Sequence, residues 1–138
     1  MKNQACFLSL SPHWATPKAL YEELDREFAF NFDPCPLSDN GIEGLMSDWT
    51  GRRVFCNPPY GPGIKDWLTK GLDADVAVFL IPSRTDVRWF HEIVLPRAQE
   101  IRFIKGRLKF GDATASAPFP SMVCVFRRAT HAQEDPKP

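Results

Sequence analysis

The chain has 138 residues, which is enough for one domain and too few for two domains of ordinary size. Hydrophobic residues make up 43% and charged residues 25%, proportions that are typical of a globular protein and exclude bulk disorder. No apolar run approaches the roughly 18 residues that a membrane-spanning helix needs, and no signal-peptide apolar region follows the first residues. The sequence therefore predicts a cytoplasmic protein with no membrane partner.

Charge is balanced overall, with 17 basic and 17 acidic residues, but it is unevenly distributed. Residues 1–50 contain 3 basic and 8 acidic side chains, whereas residues 51–138 contain 14 and 9. A basic second half suits contact with a polyanion such as nucleic acid. The four cysteines have no CxxC spacing and no histidine pair accompanies them, so the sequence predicts buried, reduced thiols and no metal site.

The first part of the chain predicts one helix and one short strand. Lys18–Phe28 carries apolar residues at three- and four-residue spacing, with Thr16 as the expected N-cap and Pro17 at the first helical position. Residues 30–33 are expected to form a short strand. Residues 36–51 are rich in turn formers and predict a loop with little regular structure.

The second part alternates apolar strands with amphipathic helices. Strands are expected at Arg53–Cys56, 76–81, 100–104 and 121–126, and helices at Ile64–Gly71 and 86–98. A turn or ribbon is expected at 105–110 and a loose tail at 129–138. This alternation predicts an α/β fold with a mostly parallel sheet, in a single domain spanning 1–138.

The tetrapeptide Asn57-Pro58-Pro59-Tyr60 directly follows a predicted buried strand, where open α/β sheets bind their ligands. The exocyclic amine of a nucleobase is a poor nucleophile because its lone pair is delocalised into the ring. An asparagine oxygen and a rigid proline carbonyl can accept its two N–H groups and free that lone pair. An aromatic side chain at the fourth position can stack on the base. The structural alternative is a proline-rich turn with Tyr60 packed on the core.

Several segments in order resemble one family, the phage-type DNA adenine-N6 methyltransferases, over residues 14–126. The segments are Trp14-Ala15-Thr16-Pro17, Phe32-Asp33-Pro34-Cys35, Asp48-Trp49, Asn57-Pro58-Pro59-Tyr60-Gly61, Leu80-Ile81-Pro82-Ser83-Arg84-Thr85-Asp86 with Trp89-Phe90-His91, and Gly106-Arg107-Leu108-Lys109-Phe110. The resemblance implies a reduced, Rossmann-like methyltransferase sheet. It also implies S-adenosylmethionine as the methyl donor, double-stranded DNA as the partner, no obligate protein partner, and a phage or prophage gene.

The resemblance also implies roles for individual residues. The catalytic loop is Asn57, Pro58, Pro59 and Tyr60. The cofactor residues are Trp14, Thr16 and Pro17 around the methionine part, Asp33, Pro34 and Cys35 near the ammonium group, Asp48 at the cofactor's adenine, and Asn57. Asp33 could instead initiate a turn, and Asp48 could be solvated surface. Residues 36–41 replace the family's glycine-rich turn, which leaves the ribose-binding acid unassigned, with Asp39 as a candidate.

Basic side chains follow two of the predicted strands and suit contact with phosphates. The expected DNA-binding residues are Arg84, Arg88, Lys105, Arg107 and Lys109, within a larger basic set that includes Arg97 and Arg102. Such residues are also common on surfaces that bind nothing.

Three other functions compete with this hypothesis. A cytosine-C5 methyltransferase would need a nucleophilic cysteine in the loop that carries Asn57, whereas Cys35 lies on the expected cofactor strand. A methyltransferase that acts on a protein amide nitrogen would share the tetrapeptide. A DNA-binding remnant of the fold would bind DNA without S-adenosylmethionine.

Overall fold

The chain folds around a four-stranded sheet in the computed structural model, which describes residues 15–36, 42–110 and 116–128. The strands are β1 (Arg53–Cys56), β2 (Val76–Pro82), β3 (Glu100–Phe103) and β4 (Ser121–Arg127), in the order β1-β2-β4-β3. Every residue of β2 is buried, because this central strand is covered on both faces. Its continuous apolar sequence is what such a position requires.

Strand direction determines where loops can meet. β1 pairs with β2 in parallel, while β4 pairs antiparallel with both β2 and β3. It follows that β1, β2 and β3 run in one direction, and their carboxyl ends lie at one edge of the sheet. The α/β class is confirmed. The small sheet is mixed, so the expectation of a mostly parallel sheet is not confirmed.

Helices cover both faces of the sheet. They are α1 (Lys18–Phe28), α2 (Ile42–Met46), α3 (Ile64–Gly71) and α4, the helical stretch 88–97 that is π-helical over Phe90–Val94. α3 and α4 pack on the face that carries Cys56, Phe79 and Cys124, and α1 packs on the opposite face with Phe55 and Val78. The wide π turn precedes Pro96, which has no N–H for the ladder and whose ring would crowd a regular α turn.

Two predicted elements differ in the structure. The expected strand at 30–33 is an isolated parallel bridge between Phe32 and Val54, with the Phe55 N–H donating to the Phe32 carbonyl at 3.0 Å. The expected loop at 36–51 contains α2. A residue that follows this short helix stabilises it, because the fully buried Trp49 donates its indole N–H to the Gly44 carbonyl at 2.8 Å.

α1 has the expected bounds, Lys18–Phe28, but its N-cap lies one residue later than expected. The helix begins at Lys18, its N-cap is Pro17, and no side chain caps it. The Pro17 carbonyl accepts the Tyr21 N–H at 3.0 Å. The expectation that Thr16 is the N-cap is therefore wrong, and its hydroxyl bonds elsewhere.

The cysteines divide into two groups. Cys56 and Cys124 are free and buried, as expected. Burial raises the pKa of the Cys124 thiol to about 12, and burial followed by the nearby Asp33 carboxylate raises the pKa of Cys56. Cys35 is disulfide-bonded, which corrects the expectation of a reduced thiol. The expected tail at 129–138 lies outside the described residues.

Candidate active site

The Asn57 loop, residues 57–60, leaves the carboxyl end of β1 and leads into α3. Pro58 and Tyr60 are buried, while Asn57 is half-buried. Gly61 follows with a φ of 140°, a conformation that side chains disfavour. The chain therefore turns sharply after the strand, and Asn57 stays at the boundary between core and surface.

The Asn57 carboxamide is held at both ends by hydroxyl groups. Its Nδ2 donates to the Thr16 Oγ1 at 3.0 Å, and its Oδ1 accepts from the Tyr60 hydroxyl at 2.8 Å. We call these three residues the Asn57 network. Because Thr16 lies 41 residues before Asn57, the network joins the segment that precedes α1 to the loop that follows β1.

Tyr60 lies inside the protein. Its side chain is only 6% exposed, and its ring meets Phe119 edge-on with the centroids 5.5 Å apart. The hydroxyl also lies 3.3 Å from the Leu80 carbonyl of β2. Burial raises the pKa of Tyr60, followed by a contribution from Cys56, so the hydroxyl stays protonated and can donate. Stacking of a base on this ring stays a prediction.

Asp33 lies beside the Asn57 loop. It follows the Phe32 bridge to β1. Burial, then Asp25 and then Asp33 raise the pKa of Tyr21, and burial followed by Asp33 raises the pKa of Cys56. The carboxylate is exposed, and its Oδ1 accepts the Cys35 N–H at 3.0 Å. The sequence's alternative for Asp33, a turn-initiating residue, is thus confirmed as a structural role. The turn also leaves the carboxylate at the same sheet edge as Asn57.

The turn that carries Asp33 rests on α2. Pro34 and Cys35 are buried. A Cβ atom added to Gly44 would lie 1.8 Å from the Pro34 carbonyl oxygen, so only glycine allows this close approach. Gly44 carried no sequence signal for this contact, because a glycine in a turn-rich segment is common, and Trp49 was noted only as part of the Asp48-Trp49 segment and not as the partner of α2.

Asp48 lies elsewhere. It precedes β1, next to the bridge between Thr50 and Ala74, and is therefore at the opposite end of the strand from Asn57. Its Oδ1 accepts the Thr50 N–H at 3.0 Å, and this bond lowers the pKa of the carboxyl group. The structure brings Asp33 and Asn57 together and leaves Asp48 apart. Trp14 lies outside the described residues.

The expected DNA-binding residues follow the carboxyl ends of β2 and β3. All of them are exposed: Arg84, Arg88, Lys105, Arg107 and Lys109. Arg88 lies 3.8 Å from the Glu92 carboxylate, and Gly106 has a φ of 75° that shapes the turn after β3. Because β1, β2 and β3 run in one direction, the segments that carry these side chains leave the sheet at the edge where Asn57 lies.

Sequence reasoning missed two features of this edge. Phe119, which packs on Tyr60, stands in a proline-rich segment without periodicity. The hydroxyls of Ser83 and Ser121 are buried and have no hydrogen-bond partner among the described residues; the sequence assigned neither of them a role. Every helix in the described ranges is too short or too polar to span a bilayer.

Comparison with known proteins identifies the family. The profile of the DNA N-6-adenine-methyltransferase (Dam) family matches residues 8–133. A DNA N-6-adenine-methyltransferase of Haemophilus phage HP1 (strain HP1c1) is 26% identical over 134 aligned positions, and the alignment covers 82% of this chain and 77% of that protein. No solved structure matches significantly. Since the family profile extends over nearly the whole sequence and includes the Asn57 loop, the chain belongs to the DNA N-6-adenine-methyltransferase (Dam) family.

Proposed function

We propose that the protein transfers a methyl group from S-adenosylmethionine to the exocyclic amine of an adenine in double-stranded DNA. The observation that carries this proposal is the half-buried Asn57 carboxamide, held by two hydroxyls at the carboxyl end of β1 in a chain of the Dam family. Three strands with a common direction and an active loop at their carboxyl edge support a reduced, Rossmann-like methyltransferase sheet.

The Asn57 loop supplies the chemistry that activates an aromatic amine. A carboxamide oxygen has two lone pairs, so Asn57 Oδ1 can accept an amine N–H while it also accepts from Tyr60. The Pro58 carbonyl, whose orientation the proline rings restrict, is the second acceptor that we assign. Two accepted hydrogen bonds favour a tetrahedral nitrogen, whose lone pair would form the bond to the methyl carbon while the sulfonium sulfur leaves with the C–S bonding pair as a neutral thioether. The surplus proton on the amine would then pass to solvent.

The residues around Asp33 fit S-adenosylmethionine. This cofactor supplies a methyl group on a positively charged sulfonium. Asp33 presents an exposed carboxylate beside Asn57, which suits the ammonium group of the cofactor's methionine part. Thr16, Pro17, Pro34 and Cys35 border the same edge, and we assign them to the cofactor wall. Asp48, at the other end of β1, is not required for this assignment.

The adenine amine is buried in a duplex, so the base must leave the stack before it reaches Asn57. Extrusion of a base costs a few kcal/mol, and the basic residues at the same sheet edge can offset part of that cost through phosphate contacts. Direct transfer requires the amine nitrogen and the methyl carbon to be held about 3–3.5 Å apart. A rigid, proline-containing loop suits this requirement.

Turnover by an Asn57→Ala variant tests the proposal. Purified protein is incubated with labelled S-adenosylmethionine and separate pools of duplex DNA, single-stranded DNA, RNA and protein, and the methylated product is identified by nucleoside analysis. We expect N6-methyladenine in duplex DNA, and a turnover about 100-fold lower or worse for Asn57→Ala, because one preorganised acceptor is lost.

Asn31→Ala is the matched control, since Asn31 Oδ1 accepts the Arg53 N–H at 2.9 Å in a structural contact. It should retain turnover. Wild-type turnover by Asn57→Ala would contradict the role of Asn57. Label in the protein pool alone would support an amide methyltransferase instead, and the absence of calorimetric heat with S-adenosylmethionine would indicate a DNA-binding remnant.

A further inference from the structure

We propose that Tyr60, together with Thr16, is a positioning residue whose hydroxyl fixes the direction in which the Asn57 carboxamide faces. This inference rests on the proposed function of Asn57. It assigns to Tyr60 a role that depends on its hydroxyl rather than on its ring. It assigns to Thr16 a direct connection to the reacting group.

Orientation matters because the two ends of a carboxamide have similar shapes and opposite hydrogen-bonding properties. The oxygen only accepts and the NH2 group only donates. If Asn57 turned by 180° about its last side-chain bond, it would present N–H groups to the N–H groups of adenine. An unrestrained asparagine would divide its time between a productive and an unproductive orientation.

Tyr60 favours the productive orientation. Its single hydroxyl hydrogen has two acceptors within reach, Asn57 Oδ1 at 2.8 Å and the Leu80 carbonyl at 3.3 Å. The first distance is typical of an O–H···O hydrogen bond and the second is long. The hydrogen therefore points at Asn57, and only an oxygen of the carboxamide can accept it.

Thr16 restrains the other end. Its Oγ1 accepts from Asn57 Nδ2 at 3.0 Å. In the turned orientation Nδ2 would face the Tyr60 hydroxyl, which would then have to give up its bond to Oδ1. A threonine hydroxyl can donate as well as accept, so Thr16 restrains the carboxamide, and the preference for this orientation comes from the bond that Tyr60 donates to Oδ1.

Packing separates the hydroxyl of Tyr60 from its ring. The ring is buried and contacts Phe119 edge-on at 5.5 Å. A phenylalanine would fill the same volume and make the same aromatic contact. What a tyrosine adds at this position is the bond to Asn57, and a buried hydroxyl without such a partner would cost stability.

Kinetics of Tyr60→Phe and Thr16→Val test the inference. We expect kcat to fall about tenfold in Tyr60→Phe and about threefold in Thr16→Val, because each variant loses one hydrogen bond that restrains the Asn57 carboxamide. KM for DNA and for S-adenosylmethionine should change less than about twofold, since neither ring nor backbone moves. Thr16→Ser, which keeps the hydroxyl, should recover most of the loss. Thr69→Val is the matched control, because Thr69 bonds only its own helix on an exposed face.

An Asn57→Asp background isolates orientation from other effects. Both carboxylate oxygens accept, so turning the group changes nothing, and loss of the Tyr60 hydroxyl should cost less than about threefold there. Equal losses from Tyr60→Phe in the wild-type and Asn57→Asp backgrounds would overturn the inference.

A second measurement needs no turnover. Hydrogen exchange of the Asn57 side-chain amide, followed by NMR, should be faster in Thr16→Val and Tyr60→Phe than in the wild type, by about tenfold. Unchanged exchange rates in both variants would overturn the inference, even if turnover were too low to measure in every kinetic assay. If Asn57→Ala abolishes turnover while Tyr60→Phe is fully active, the positioning role fails and the proposed function stands. If Asn57→Ala is fully active, the proposed function itself fails.

Discussion

Two side-chain networks join parts of this protein that are distant in sequence, and they differ in charge and burial. The Asn57 network is neutral and partly buried, and it lies at the carboxyl end of β1. The Arg102 network, which consists of Glu27, Arg102 and Glu100, is charged and largely exposed, and it ties α1 to β3. Arg102 donates to Glu27 at 2.6 Å and to Glu100 at 2.8 Å.

The difference in charge and burial distinguishes a network that stabilises the fold from one that the fold does not require. The Arg102 network joins two elements near the surface, where the glutamates are partly exposed and the desolvation cost of a bidentate ion pair is smaller than in the core. The Asn57 network places an amide and two hydroxyls where apolar side chains would pack with less penalty. We infer that the first network serves stability and the second serves chemistry.

Removal of Asp33 is expected to have the largest effect among the variants that sharpen this comparison. Asp33→Ala should weaken S-adenosylmethionine binding about tenfold or more, because an ammonium group would lose its carboxylate partner. Asp48→Ala should weaken it far less, since Asp48 lies at the other end of β1 and bonds Thr50. Calorimetric titration of each variant measures the affinities directly.

Asp73→Ala, which removes an exposed carboxylate outside the Asn57 edge, is the control for net charge. Equal affinity losses in Asp33→Ala and Asp73→Ala would mean that overall charge, rather than the position of Asp33, governs the binding. A larger loss in Asp48→Ala than in Asp33→Ala would move the cofactor to the opposite end of β1.

Arg102→Ala should lower the free energy of unfolding by roughly 1 kcal/mol near neutral pH, because it removes two exposed but well-formed ion pairs. Hydrogen bonds from Arg102 lower the pKa of both Glu27 and Glu100 in the folded state. Their stabilisation is therefore present above the ordinary glutamate value of 4.5 and is lost as the pH falls below it. Denaturant unfolding at a series of pH values measures the difference from the wild type.

The wild type and Arg102→Ala should converge in stability as the pH falls, while kcat stays the same at neutral pH. Arg26→Ala is the matched control, because Arg26 on α1 is exposed and forms no ion pair within the described ranges. If the wild type and Arg102→Ala differed in stability by the same amount at every pH, the ion pairs could not be the cause of that difference.

The elements that the sequence predicted correctly are those with strong periodicity or complete burial. Arg53–Cys56 and Ile64–Gly71 have the expected bounds, and β2 extends by one residue to Pro82. Local patterns suffice there because the apolar spacing reports which face is buried. α2 escaped prediction because its five residues are held by the Trp49 indole and by the close approach of Gly44 to Pro34, and the spacing of apolar residues reports neither contact.

The sequence indicated which elements carry the candidate site residues but not how their side chains bond to one another. The Asn57 loop follows its strand as expected, and Asp33 lies beside it. The bond between Thr16 and Asn57 spans 41 residues, and the choice of Pro17 over Thr16 as N-cap frees the hydroxyl for it. Local propensity favours threonine at a cap, so the sequence alone predicts that the Thr16 hydroxyl caps α1 and not that it bonds Asn57.

The smallest expected effect is on the salt dependence of DNA binding, and it distinguishes Arg107 from the Arg102 network. Arg107 and Arg102 both belong to the basic second half, but Arg107 is exposed in the turn after β3 whereas Arg102 is bonded to two glutamates. If Arg107 neutralises one phosphate, Arg107→Ala should reduce the slope of log K against log salt by about 0.9. Arg102→Ala should leave that slope unchanged, because its guanidinium is already committed within the protein. Equal changes of slope in both variants, measured by fluorescence anisotropy on one duplex, would show that net charge alone attracts DNA, and the phosphate contact assigned to Arg107 would then be wrong.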